Sequence, residues 1–481
     1  MAPRRITPVL PQELNSFFGI VYLLKTCYNC IYKQELTERR KNAKTGRKQD
    51  MEWKKEWAYE GGISAGELYN TGAMLADDSQ GDTAEDSPML LVTDTSREEY
   101  EAYLEKLQGM GFEQTFENHN GAVDSCQLKK GDTLLYVYYT CAFGEVRIIE
   151  DRASSSLKEF SYDCESADSA EIYQYGLYYD PQNHYGPTAT NCGMFYIIRL
   201  ADNRLVMIDG GEYQQCSEEA VTGMYRFLRR ITGTKEGEQI RIAAWYYTHA
   251  HSDHMAACVR LLRTYPDVFS VERVMFNFLP FTMKSGDRDI LVLKETLREY
   301  CPDLRCLKLH NGQVITLANV RFEVLYTHED AVTPKCPGAF PFGDFNSTSV
   351  LLKMTTGSGT VMWLGDTTGE TEELVLKTVP ADLWKSDVVQ IAHHCFNFLS
   401  RLYPAIDADY AMLPNSHYGG NESANHDKLM DVVNCLASPD NLWYEDQTTG
   451  FCFEDGKFRV ILEEPRVGGE HDGVDLYGRR S

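Results

Sequence analysis

The run Arg241-Ile242-Ala243-Ala244-Trp245-Tyr246-Tyr247-Thr248-His249-Ala250-His251-Ser252-Asp253-His254 leads from a strand-like apolar stretch into three imidazoles and a carboxylate within six positions. Alternate side chains of an extended backbone share a face, so His249, His251 and Asp253 can converge on one side. His254 can then turn toward a second centre as the helix-like Met255-Ala256-Ala257-Cys258-Val259-Arg260-Leu261-Leu262 begins, with Cys258, Leu261, Leu262 and Tyr265 at mixed three- and four-residue spacing. Two imidazoles beside a carboxylate–imidazole pair suit two adjacent divalent ions of the zinc type. The competing reading is a buried polar turn in which Asp253 caps the following helix and the histidines satisfy backbone groups. Capping leaves the basic nitrogen of three histidines, two of them alternating, unexplained, so metal ligation is preferred.

Other segments fit around this one. Upstream, Cys192-Gly193-Met194-Phe195-Tyr196-Ile197-Ile198-Arg199-Leu200 and Arg204-Leu205-Val206-Met207-Ile208-Asp209-Gly210-Gly211 read as two strands joined by Ala201-Asp202-Asn203. Downstream lie Thr360-Val361-Met362-Trp363-Leu364-Gly365-Asp366 and Val388-Val389-Gln390-Ile391-Ala392-His393-His394. Their order, with His-x-His-x-Asp-His at a strand end, resembles the metallo-β-lactamase superfamily over about residues 172 to 465. Within it, Asn346-Ser347-Thr348-Ser349-Val350-Leu351-Leu352 ahead of Gly365-Asp366 and a His-His pair looks most like the hydrolase domain of bacterial competence (DNA-uptake) proteins and related phosphodiesterases. That subgroup usually continues the pair with glycine and a small residue, where this chain has Cys395 and Phe396.

The resemblance implies an α/β fold, a four-layer αβ/βα metallo-β-lactamase sandwich with loops at strand ends assembling the ligands on one edge. It implies that His249 and His251 bind a first metal, that Asp253 and His254 bind a second, that Asp366 bridges both, and that His393 or His394 completes the second site. The cofactors are then two divalent ions, zinc first, with manganese or iron as alternatives. Such a pair generates a bridging hydroxide near neutral pH and clamps the attacked oxygen, which is the chemistry of a metal-dependent hydrolase. Asp253 and His394 are the catalytic candidates. Asp253 would orient the hydroxide or carry a proton to the leaving group, and whichever of His393 and His394 does not ligate would donate to the developing oxyanion. The superfamily's usual third histidine on the first metal has His328 as its candidate; His310 is the other histidine in that interval, and His417 sits in a loop-like segment.

A formal net charge of −24 disfavours broad duplex nucleic-acid binding through many phosphate contacts, while bound dications can still hold a single phosphodiester or carboxylate. The expected substrate is therefore a small-molecule or short single-stranded phosphodiester, or another ester-like bond. Two other classes compete. A flavin-linked di-iron oxidoreductase has glutamate where His251 stands and adds a flavodoxin domain, and the sequence shows neither. A non-catalytic metal-containing binding or sensor protein would show substitution at Asp253 or Asp366, and both aspartates are kept. The 14 cysteines are scattered, apart from Cys27-Tyr28-Asn29-Cys30, and read as reduced thiols of a cytoplasmic protein rather than a disulfide framework.

Residues 1–87 read as an N-terminal extension and acidic linker, 88–160 as a small α+β accessory domain and 161–481 as the hydrolase domain. The apolar residues 17–24 are broken by Lys25, far short of the roughly 20 residues a membrane helix needs, so no membrane span is expected; Arg4 and Arg5 keep a secretory reading open. The basic run Arg39, Arg40, Lys41, Lys44, Arg47 and Lys48 reads as solvated, and residues 77–87 as the linker. In the accessory stretch, residues 89–92 form a strand and Ser96-Arg97-Glu98-Glu99 a capping box opening a helix with Tyr100, Tyr103, Leu104 and Leu107 on one face. Residues 133–139 and 145–149 pair as a hairpin. The module carries no catalytic constellation and is expected to shape substrate access or an interface.

Overall fold

Apolar runs bounded by turn residues build two large sheets in the computed structural model, which describes residues 53–166, 168–177, 193–212, 217–281, 288–416 and 426–465, all within the compact unit Glu52–Ser481. The first has nine strands, in the order Arg305–Lys308, Arg273–Phe276, Ile240–Tyr246, Leu205–Asp209, Phe195–Arg199, Glu171–Gln174, Gln447–Glu454 and Lys457–Pro465, with Phe269–Val271 paired to Ile240–Tyr246. The second has eight: Leu442–Tyr444, Tyr410–Leu413, Val388–Gln390, Gly359–Trp363, Leu351–Thr356, Val320–Tyr326, Val314–Ala318 and Tyr162–Asp163. In the first sheet the four strands from Leu205–Asp209 to Arg305–Lys308 are parallel, and in the second so are the four from Gly359–Trp363 to Leu442–Tyr444. Parallel strands are covered on both faces, which is why Leu205–Asp209 is buried throughout and Ile240–Tyr246 at every position but Arg241. Their carboxyl ends feed the loops where ligands bind in such sheets.

The sheets face each other. Tyr196 meets Trp363 edge-on with ring centroids 4.9 Å apart, and the Tyr246 hydroxyl donates to the Val350 carbonyl at 2.6 Å. Helices lie outside: Glu218–Thr232, Ala256–Thr264 and Asp289–Tyr300 pack side by side at the first sheet, and Ala381–Trp384, Leu402–Ile406 and His426–Cys435 pack together beside the second. Helix, sheet, sheet, helix is the expected αβ/βα order. Local sequence sets these elements. Glu218–Thr232 is capped by Ser217, buries Val221, Met224, Phe227 and Leu228 on one stripe, and stops at Gly233 with φ 64°.

A third, antiparallel sheet of six strands runs Ile63–Asn70, Pro88–Thr93, Glu145–Glu150, Thr133–Thr140, Val123–Lys130 and Glu113–His119, with the helix Arg97–Gly109 opened by the Ser96–Glu99 capping box. Period-two alternation splits its side chains. Leu90, Val92, Leu135, Val137, Val146 and Ile148 pack with Tyr100, Tyr103 and Leu107 of the helix, whereas Met89, Tyr136, Tyr138 and Ile149 join the core shared with the sandwich. The Tyr136 hydroxyl donates to the Asn311 carbonyl at 3.0 Å, and the buried Arg147 guanidinium donates to the carbonyls of Glu329, Asp330 and Val332.

Two expectations change. Residues 77–87 are not a free linker: Asp78 and Asp86 are buried, Asp78 accepting from the Phe281 amide and pairing with Lys294 at 3.4 Å, Asp86 accepting from Asn70 and the Thr83 amide. Acidic composition signals a linker only when no distant cation answers it, and Lys294 does. Ile63–Asn70, inside the stretch read as an extension, pairs with Pro88–Thr93 as an edge strand of the accessory sheet. Residues 17–24, the basic run and the Cys27–Cys30 pair lie outside the described residues. Among those described, no helix is long and apolar enough to cross a membrane.

Candidate metal centre

The strand Leu205–Asp209 ends with Asp209 at φ 56°, and Gly210-Gly211 carry the chain beneath the start of the helix Ala256–Thr264. Their carbonyls accept from the amides of Cys258, Ala256 and Ala257, supplying first-turn N–H groups that a helix leaves unpaired. A Cβ at Gly210 would stand 2.4 Å from Cys258 Cβ, so the approach requires glycine. Asp209 is buried and accepts from the Thr248 amide (2.8 Å), the Thr248 hydroxyl (2.8 Å) and His254 Nδ1 (2.6 Å).

From the second sheet, Gly359–Trp363 delivers Gly365-Asp366, and the Asp366 amide donates to Ser349 Oγ at 3.0 Å. Val388–Gln390 leads to His393, His394 and Cys395 at φ 51°, 50° and 66°, three successive left-handed residues. Each costs about 1–2 kcal/mol. The turn is held by the His393 amide on the Gly365 carbonyl (3.1 Å), His394 Nδ1 on the Pro414 carbonyl (2.8 Å) and Asn415 Nδ2 on the His394 carbonyl (3.0 Å). It parts the two imidazoles. His394 turns inward, while His393 stands half-buried with Nε2 3.1 Å from Asn346 Nδ2 and Nδ1 2.5 Å from Asn397 Nδ2.

Asp253, His254, Asp366 and His394 bring one donor atom each within 4.8 Å of one another. Asp366 Oδ2 is central: His254 Nε2 lies at 3.2 Å, His394 Nε2 at 3.4 Å and His249 Nε2 at 4.0 Å. His394 Nε2 is also 3.2 Å from Asp253 Oδ2, and His249 Nε2 is 3.0 Å from His251 Nδ1. The oxygen is thus within 4.0 Å of His249 from the His249–His251 pair and of His254 and His394 from the Asp253–His254–His394 group. Each imidazole is anchored by its outward nitrogen: His254 on Asp209, His394 on the Pro414 carbonyl, His249 on the Thr248 hydroxyl at 3.0 Å, and His251 Nε2 facing Asp344 Oδ1 at 3.4 Å. Outward anchoring with the other nitrogen turned inward is how histidines are held for metal ligation. Asp366 Oδ1 is buried with no hydrogen-bond partner among the described residues, which a cation would satisfy. Asp253, His254, Asp366 and His394 thus fit a metal ion.

Electrostatics agree. Burial, with His254 beside it, pushes His249 well below the usual histidine range, leaving a neutral ring and a lone pair. Burial alone would lower His254 too, but Asp366, Asp209 and Asp253 hold it well above. For Asp366 the burial penalty is outweighed by His254 and His394, which keep its carboxyl well below the carboxylate range. The carboxylates therefore draw positive charge to this point. Side-chain exposures of 25% at Asp253, 22% at His251 and 54% at Asp344, against 0–1% at His249, His254, Asp366 and His394, mark the mouth.

Of the expected site residues, His249, His251, Asp253, His254, Asp366 and His394 come together and His393 stands beside them. His328 is engaged elsewhere, with Nε2 2.9 Å from Asn277 Oδ1 and Nδ1 3.2 Å from the Tyr69 hydroxyl. His310 lies between Glu329 and Asp151, at 2.9 and 3.4 Å. His417 lies outside the described residues. Sequence reasoning assigned no role to Asp209, although the Asp-Gly-Gly ending signalled it, nor to Asp344, which no local pattern announces.

No family model and no curated protein matches the chain. Among solved structures it is similar to the metallo-β-lactamase fold protein YhfI from Bacillus subtilis, at 13% identity over 61% of this chain and 100% of that one, with a TM-score of 0.34. It is also similar to CmlA, a diiron β-hydroxylase from Streptomyces venezuelae, at 12% identity over 65% of this chain and 59% of that one, with a TM-score of 0.29. The chemistry of the centre is read from its own geometry.

Proposed function

We propose that this chain is a metal-dependent hydrolase of the metallo-β-lactamase superfamily, using two divalent ions, zinc first, on a phosphodiester or other ester-like bond. The supporting observation is Asp366 Oδ2, within 4.0 Å of three imidazoles that are all anchored outward. Two ions held there supply a water of near-neutral pKa and polarise the attacked oxygen. The remaining work falls to side chains. Asp253, partly open at the mouth, would orient the attacking water and pass its proton toward the leaving group. His394 converges with the ligands, so the oxyanion-donor role passes to His393, whose ring N–H would leave its neighbouring asparagine amide, Asn346 or Asn397, to meet the substrate oxygen. Ser349 Oγ, which accepts from the Asp366 amide, gives the 346–352 segment a part in placing Asp366, and the phosphodiester choice rests on the likeness of that segment to competence-type members. The net charge of −24 favours a short single-stranded or small substrate over duplex.

Elemental analysis of untagged, chelator-free protein, followed by chromogenic phosphodiester, phosphomonoester, lactone and thioester substrates, tests this. Close to two transition ions per chain and metal-dependent phosphodiester turnover are expected. Folded protein without transition metal would overturn the dinuclear reading. Lactone or thioester turnover higher by orders of magnitude would overturn only the choice of bond.

A further inference from the structure

Three of the converging histidines are anchored from within the sandwich: His254 by Asp209, His249 by Thr248 and His394 by the Pro414 carbonyl, with all three imidazoles buried. His251 is held differently. Its Nδ1 lies 3.0 Å from His249 Nε2, toward the centre, and its Nε2 points the other way, 3.4 Å from Asp344 Oδ1. An imidazole N–H paired with a carboxylate has its tautomer fixed, and the opposite nitrogen is left as a more basic lone pair. With Asp344 54% exposed and His251 22%, this pair forms the solvent side of the first metal position.

The loop carrying Asp344 has its own supports. Asp344 Oδ1 accepts from the Asn346 amide at 3.2 Å and so caps the short turn Phe345–Thr348. The Phe345 ring stands edge-on to His251 at 5.7 Å, and Gly343 backs onto Glu370, where a Cβ would come within 2.7 Å of the carboxylate. Phe342 packs on Phe340 and His328, and Phe340 on Tyr69 of the accessory sheet. Asp344 is therefore placed from two directions, by the sandwich and by the accessory module.

We propose that Asp344 is the positioning residue of the first metal position: it turns His251 so that Nδ1 faces the ion, in a chain whose His328 is engaged away from the centre. The inference rests on the two-metal reading above. The ion at His249 and His251 is then the weaker of the two, because one of its histidines is oriented by an exposed loop, whereas His254 and His394 are oriented from the core.

Metal-free full-length protein is titrated with zinc by calorimetry and with cobalt(II) by absorption, in the wild type and in Asp344→Asn, Asp344→Ala, His251→Ala and His251→Ala/Asp344→Asn. Asparagine caps a turn about as well as aspartate. Asp344→Asn thus keeps the loop and removes the charge facing His251. The weaker binding step is expected to fall about 10- to 100-fold in Asp344→Asn, the range for losing an outer partner of a metal ligand, with the tighter step and the metal-free melting temperature unchanged. On the His251→Ala background Asp344→Asn should change nothing further. Two unchanged steps in Asp344→Asn, with loss confined to Asp344→Ala, would assign Asp344 to capping alone and overturn the proposal, as would an added loss on the His251→Ala background. Wild-type protein that binds neither zinc nor cobalt would instead overturn the two-metal reading itself, so the two failures are distinguishable.

Discussion

Glu329→Gln is expected to cost about 3 kcal/mol of folding stability near pH 6 and far less above pH 9. Glu329 is fully buried where the accessory sheet meets the sandwich, with Oε2 2.9 Å from His310 Nδ1 and Oε1 accepting from Asn277 at 2.9 Å. His310 stacks on Tyr136 at 4.9 Å and has Asp151 Oδ2 at 3.4 Å from its other nitrogen. Burial alone would depress His310, but Glu329 foremost, with Asp151, raises it to about 9. For Glu329 the burial penalty is outweighed by His310, which takes its carboxyl down to about 2. The rise of His310 from 6.5 to about 9, at about 1.4 kcal/mol per pH unit, is about 3.5 kcal/mol for Glu329 and Asp151 together, and the larger share, up to about 3 kcal/mol, belongs to Glu329. The depression of Glu329 describes the same pair and is not added. A raised histidine contributes fully below pH 6.5 and loses its contribution as pH rises through about 9; a depressed carboxylate contributes above pH 4.5 and loses it as pH falls through about 2. The pair is therefore at full strength between pH 4.5 and 6.5. Lys308, which burial pushes down to about 8, has the opposite alkaline slope, but it is present in both proteins and largely cancels in their difference. Equilibrium urea unfolding of wild type and variant at pH 6 and pH 9.5 measures this difference. About 1 kcal/mol should remain at the higher pH for the lost neutral hydrogen bond. A difference equal at both pH values, or below about 1 kcal/mol at pH 6, would refute the reasoning.

Asp366→Ala should lower metal content and turnover together, because one oxygen serves both groups of imidazoles; elemental analysis still giving two ions per chain would remove Asp366 from the bridging position. His394→Ala should lose metal, whereas His393→Ala should keep both ions and lower kcat, since only His394 turns inward; metal loss in both would merge the two roles. Gly210→Ala should destabilise by about 1–3 kcal/mol, the usual cost of overpacking, because its Cβ would collide with Cys258; an unchanged melting temperature would show that the helix Ala256–Thr264 can shift.

Much of this molecule is legible in its sequence because the relevant physics is local. The capping box starts Arg97–Gly109, the apolar runs at 195–199 and 205–209 pair as expected, and His249 meets His251 at 3.0 Å, although the strand ends at Tyr246 and the loop after it, not strand alternation, brings them together. The strands Ile63–Asn70 and Glu113–His119 were not legible, because they lie at the two edges of the accessory sheet, are largely exposed and carry no apolar stripe to reveal them. The acidic 77–87 stretch misled for a related reason, since Lys294, which pairs with Asp78, lies in a distant helix. The sequence by itself determined the donor types, their order and the strand ends that carry them. Only the tertiary structure decided which donors meet: the left-handed turn at 393–395 sends His394 inward and His393 aside, His328 pairs with Asn277 and Tyr69, and Asp209 and Asp344 hold His254 and face His251. An imidazole's direction is set by its backbone torsion and by what binds its outer nitrogen, and both depend on loops from two sheets that only the fold brings together.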